Sequence, residues 1–148
     1  MDMGPDYYVG GYINQKEYAW LETALSTDRP TIIFSHHSPI PNIDNKNFID
    51  QEEARAFLER FPNVILVISG HDPSCVLNET NGINYFIANN LVDRKAMGSF
   101  ATIVARYNRY TKKIRIELEH HGTHKERFEI QKRFKYDEEW KNYLASFF

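Results

Sequence analysis

The chain has 148 residues, with 18 Lys+Arg against 20 Asp+Glu, 42% hydrophobic and 26% charged residues. That length and composition describe one soluble domain, residues 1–148, large enough to bury a core. A net charge of −2 gives no bulk attraction to nucleic acid or anionic membrane. One cysteine, Cys75, excludes an internal disulfide, and no apolar run approaches a membrane span. The opening Met1-Asp2-Met3-Gly4-Pro5-Asp6 has no apolar core of the kind a signal peptide carries, so a reduced cytoplasmic protein is expected.

In chain order, Asn14 with Glu17 three residues later forms a capping box, and Trp20, Leu21, Ala24 and Leu25 follow on one helical face. Arg29-Pro30 stops that helix, and Thr31 to Ser35 reads as a short buried strand. A polar stretch from Ser38 to Asn47 precedes a second helix opened by Asp50 and Glu53, with the stripe Ala54, Phe57, Leu58, Phe61. Val64 to Ser69 is an unalternating apolar run, as in a strand covered on both faces. The first half is thus an α-β-α-β unit with two parallel strands.

The second half changes period. Strands are expected at Tyr85–Ala88, Phe100–Ala105 and Ile114–Leu118, the last alternating strictly, so that one face meets water. Tyr107–Lys113 and His120–His124 read as hairpin loops, with a further strand around Phe128 and Ile130. Asp137 caps a closing helix carrying Trp140, Tyr143, Leu144 and Phe147. The fold class is α/β: the α-β-α-β unit, then mostly antiparallel strands and a C-terminal helix.

Both apolar strands run straight into histidine, Ser35 into His36-His37 and Ser69 into Gly70-His71. In open α/β sheets ligands bind beyond the carboxyl ends of the strands. If the two strands are neighbours, His36 and His71 meet in one crevice. Gly70 is expected to supply a positive φ at the turn. A single strand-end histidine is simply a polar residue leaving a core. Two converging imidazoles favour a site for a borderline cation such as Zn²⁺, Mn²⁺ or Fe.

The pattern Glu17-x-x-Trp20-Leu21-x-x-x-Leu25, then Ile32-Ile33-Phe34-Ser35-His36-His37-Ser38-Pro39, then Val67-Ile68-Ser69-Gly70-His71, resembles the second half of the calcineurin-like metallophosphoesterases. The likeness is clearest from Gly11 to Leu77 and looser to Phe128, and Gly82–Ile87 is similar to the strand after the last motif. That family carries D-x-H, G-D-x-x-D, G-N-H-[DE], an H-x-P-like motif and G-H-x-H, in that order. The resemblance implies a partial metallophosphoesterase-type α/β sandwich and a binuclear centre that hydrolyses phosphomonoesters or phosphodiesters. It makes His36 a metal ligand of the fourth motif, with His37-Ser38-Pro39 a competing register, and His71 the first histidine of G-H-x-H. His37 and Asp72 are then candidates for substrate contact, Asp72 being either a substitute ligand or a turn residue. Pro73 stands where the second histidine belongs, and the first three motifs are missing from these 148 residues.

The resemblance therefore implies the C-terminal half of such a domain, with a weak or incomplete metal site, inactive alone unless an N-terminal half completes it for a phosphoester substrate. The alternative is a noncatalytic interaction or scaffold module derived from that fold. Exposed sheet edges would make the isolated chain a homo-oligomer, most simply a dimer. Two other patterns read as solvated surface: the cluster His120-His121-x-x-His124, and the basic-aromatic run Arg106 to Arg115.

Overall fold

The computed structural model describes residues 10–40, 49–71, 74–88, 99–122 and 125–133. Helix α1 (Gln15–Leu25) begins where Asn14 accepts from the amides of Lys16 and Glu17 while Glu17 returns a bond to the Asn14 amide. Strand β1 (Thr31–Ser35), helix α2 (Gln51–Glu59) and strand β2 (Val64–Ser69) follow, and β1 pairs parallel with β2. The α-β-α-β expectation therefore holds element by element.

All six residues of β2 are buried, and the two cores explain why. On one side Val64 and Val67 pack with Leu25, Leu58, Phe61 and Tyr85, beneath the helices. On the other, Ile65, Leu66, Ile68 and Phe86 pack against Ile114, Ile116, Leu118 and Ile130 of a second sheet. A strand between two layers has no polar face to present, so its sequence cannot alternate.

The first sheet has the order β1-β2-β4-β3, with β3 (Val76–Thr80) and β4 (Ile83–Ile87) completing it. β4 lies parallel to β2, and β3 runs back antiparallel along the edge. The second sheet is the antiparallel set β5 (Phe100–Asn108), β6 (Lys113–His121) and β7 (Glu126–Arg133). β6 alternates as expected, burying Ile114, Ile116, Leu118 and His120. No described helix is long and apolar enough to cross a membrane.

Five expectations need correction. β1, expected to be buried, is an edge strand with no buried residue and with Phe34 69% exposed. β3 went unforeseen although Asn81-Gly82 links it to β4, both residues with positive φ (49° and 81°), as a two-residue hairpin turn of the primed type demands. The stripe on α1 is buried only at Leu25, since Trp20 is 66% exposed and Ala24 is also exposed. Asp50 caps α2 by position without a side-chain bond. His120 and His121 belong to β6 rather than to a loop, because the hairpin pairing to β5 extends to Phe100↔His121. The expected closing helix over Trp140–Phe147 lies outside the described residues.

Asn63, wholly buried, binds the first layer together. Its Nδ2 donates to the Leu25 carbonyl at 3.0 Å and to Thr31 Oγ1 at 3.2 Å, and the Asn63 backbone carbonyl accepts from the Thr31 amide at 2.8 Å. One side chain thus fixes the end of α1 to the start of β1. Asn63→Ala removes the Nδ2 bonds to Leu25 and Thr31, with the Leu25 carbonyl still accepting from the Thr27 amide at 2.7 Å, and should lower stability by about 1–2 kcal/mol in urea unfolding. A loss below about 0.5 kcal/mol, the scale of a surface substitution, would contradict that role.

Candidate metal centre

The parallel register of β1 and β2 ends at Ser35↔Ser69. There the Oγ atoms lie 3.0 Å apart, and because Ser35 Oγ donates to the His37 carbonyl at 2.7 Å, the Ser69 hydroxyl supplies the proton between them. Beyond this pair the Gly70 amide donates to the His36 carbonyl at 3.0 Å, so both chains leave the sheet together. The exits carry the histidines.

His36 Nε2 lies 3.1 Å from His71 Nδ1. One ring must carry the shared proton. Two imidazole nitrogens on a common tetrahedral Zn²⁺ are about 3.3 Å apart, given bonds of about 2.0–2.1 Å. The observed separation therefore suits replacement of that proton by a cation, with both lone pairs turned inward.

His37 joins them. Its ring centroid is 4.8 Å from that of His36 and 4.4 Å from that of His71, and ring nitrogens of all three lie within 4.8 Å of one another. This is the only such group of His, Cys, Asp or Glu among the described residues. Sequence reasoning gave His37 to the substrate; the structure places it beside the two expected ligands. Adjacent residues point to opposite faces only within a strand, and His37 stands two residues past its end.

The backbone is specialised here in two ways. The turn after β2 takes its left-handed residue at His71 (φ 65°) and not at Gly70, as had been expected. That conformation costs a non-glycine residue roughly 1 kcal/mol or more and marks strain held at a site. Gly11 packs against His37 so closely that an added Cβ would sit 2.9 Å from Nδ1 and 3.0 Å from Cγ. A glycine is what lets the imidazole lie where it does.

Asp72 and Pro73 lie outside the described residues. The second histidine group does not assemble in the same way. His121 stacks on Phe100 at 4.6 Å and meets Thr102 Oγ1 at 3.1 Å, while His120 alternates to the buried face of β6. His124 also falls outside the described residues.

Comparisons with known proteins bear on this segment. The family model described as calcineurin-like phosphoesterase matches residues 5–75. A glycerophosphodiester phosphodiesterase, GpdQ, of Enterobacter lignolyticus is 31% identical over 78 residues, which is 49% of this chain and 28% of that protein. A dimetal phosphatase from Danio rerio superposes with a TM-score of 0.63 at 19% identity, over 79% of this chain and 38% of that one. The chain thus spans well under half the length of either relative. The segment that matches the calcineurin-like phosphoesterases, residues 5–75, contains all three clustered histidines, and the sheets around it have a metallophosphoesterase-type fold.

Proposed function

We propose that the chain contributes to a metal-dependent phosphoester hydrolase, with His36, His37 and His71 holding a divalent transition metal: Mn²⁺, Fe or Zn²⁺. The observation that carries this is the convergence of three imidazoles at adjacent carboxyl ends of parallel strands, inside the segment matching a phosphoesterase family. When bound, such a metal polarises a phosphoryl oxygen and acidifies its water. The residues here supply position: the serine pair fixes the two exits, and Gly11 holds the third ring.

The donor set is neutral. Among the described residues the cluster holds no carboxylate, so these three ligands leave the charge of a divalent cation uncompensated, which favours an anionic phosphoester over water but weakens retention of the metal. With His37 taken up as the third ligand, Asp72 is the group proposed to meet the phosphate. The D-x-H, G-D-x-x-D and G-N-H-[DE] motifs, absent from the sequence, would supply the missing carboxylate and asparagine ligands. The chain is accordingly read as part of the centre, the C-terminal half of the domain, and inactive until completed. The single free thiol, Cys75, is pushed up to about 11 by burial and by the neighbouring Glu126, and it suits a reducing cytoplasmic setting.

The all-histidine cluster favours one second reading, a noncatalytic scaffold that keeps the strands and has lost the centre. Mn²⁺ binding by electron paramagnetic resonance, run beside hydrolysis of bis-p-nitrophenyl phosphate, separates the two. The half-centre reading predicts saturable Mn²⁺ binding that His71→Ala abolishes and Gly11→Ala weakens severalfold, with no hydrolysis above the His71→Ala variant. No Mn²⁺ binding would leave the scaffold. Hydrolysis lost in His71→Ala would show a complete centre and contradict the half-centre reading.

The proposed partner is a second copy of the chain. β1 is an edge strand, and beside it Tyr12, Trp20 and Phe34 are 61%, 66% and 69% exposed along an apolar cleft floored by Ile33 and Val67. These three rings leave of the order of 400 Å² of aromatic surface in water, about half of what one partner gives a standard interface. An open edge and its aromatics are self-complementary about a twofold axis. Sedimentation velocity should show a dimer at micromolar concentration, and Trp20→Glu with Phe34→Glu should shift it to monomer. A monomeric wild-type chain would overturn the pairing.

A further inference from the structure

The β5–β6 hairpin carries a second concave surface that the phosphoesterase reading does not use. A cavity of about 840 Å³ opens at its turn and is lined by Arg106, Arg109, Lys113, Arg115, Lys132 and Arg133, with no carboxylate in the lining. The net charge of the whole chain, −2, conceals this local excess. It lies at the far end of the sandwich from the histidines: Lys132 Nζ donates to the Gly82 carbonyl just before β4, whereas β4 ends at Ile87 opposite Ser69.

The six cations are not equivalent. Arg106 is held by Glu117 at 3.0 Å, and Arg115 by Glu117 at 3.3 Å and Glu129 at 2.8 Å, neither carboxylate lining the cavity. Lys132 is committed to Gly82, and burial lowers its pKa. Arg109, Lys113 and Arg133 form no ion pair among the described residues, so their charge is available to a ligand. The aromatics face the same space. Tyr110 is 81% exposed, with the Arg109 guanidinium 4.8 Å from its ring centroid and bonded to its hydroxyl at 2.7 Å, and Tyr107 is 41% exposed.

We propose that this cleft binds single-stranded nucleic acid, with Arg109, Lys113 and Arg133 on successive phosphates and a base stacked on Tyr110. Free cations alone would accept any polyanion. What selects a nucleic acid is the exposed ring among them, since a base has a π-face and a phosphate headgroup or polyphosphate has none. The Asn108 side chain, accepting from the amides of Tyr110 and Thr111 at 3.0 Å each, pre-orders the turn that presents the ring.

Fluorescence anisotropy of labelled oligo(dT) and oligo(U) octamers at low salt tests this with the full chain. Binding is expected to weaken at least tenfold in the double variant Arg109→Glu, Lys113→Glu. Its dependence on salt should follow a log–log slope near −2, about −0.7 for each of three phosphates. Tyr110→Ala should cost about tenfold while leaving that slope unchanged, and His71→Ala should bind as wild type. Arg109, Tyr110 and Lys113 are exposed, and an unchanged melting temperature confirms that the variants fold. Four results would overturn the proposal: no binding, equal competition by inorganic polyphosphate, no effect of Tyr110→Ala, and retention by phosphatidylserine vesicles in place of oligonucleotide.

Discussion

The parallel pairing of β1 with β2 is the constraint on which the rest depends. Its register runs from Ile32↔Leu66 to Ser35↔Ser69, so two segments more than thirty residues apart in sequence leave the sheet at the same level. That register is held from both sides. Asn63 ties the entry of β1 to the end of α1, and the serine hydroxyl pair closes the exit. A slip of one residue would exchange the side chains that β2 sends to its two cores and carry His71 away from His36. The burial of β2 between two cores therefore stabilises the fold and aligns the cluster at once.

At the exits the chemistry follows from donor type. Three neutral imidazoles can hold a borderline cation but cannot offset its charge, and the energy left uncompensated is what an anionic substrate would answer. The left-handed conformation of His71 and the tight approach of Gly11 to His37 both cost conformational freedom without adding to the core. Costs of that kind are found where position matters more than stability. The fold is shared with a dimetal phosphatase, and the family match over residues 5–75 includes all three of these histidines.

Much of this was legible in the residues. The capping box at Asn14 and Glu17, the strand Thr31–Ser35, the unalternating Val64–Ser69 and the alternating β6 each carry a local physical signature, and each occurs where it was expected. What escaped was decided by tertiary contact. β3 is a polar edge strand whose period says little; only the Asn81-Gly82 turn gave it away. Trp20 looked like core because helical spacing shows which face is apolar and not whether anything covers it. His37 could not be placed because strand periodicity ends at Ser35, and its position depends on Gly11, far back in the chain. The positive φ fell on His71 and not on Gly70, while the Gly70 amide donates to the His36 carbonyl.

His36, His37 and His71 are proposed to act together on one metal. The chain has six histidines, and the other three, His120, His121 and His124, lie on or just after β6. Nitrogen-15 labelling of the histidines, followed by NMR of the ring nitrogens during a Zn²⁺ titration, addresses each ring separately. The account predicts that the signals of three rings shift together and saturate at one equivalent while those of the β6 histidines stay in place. Shifts confined to the β6 group, or spread evenly over all six rings, would contradict it.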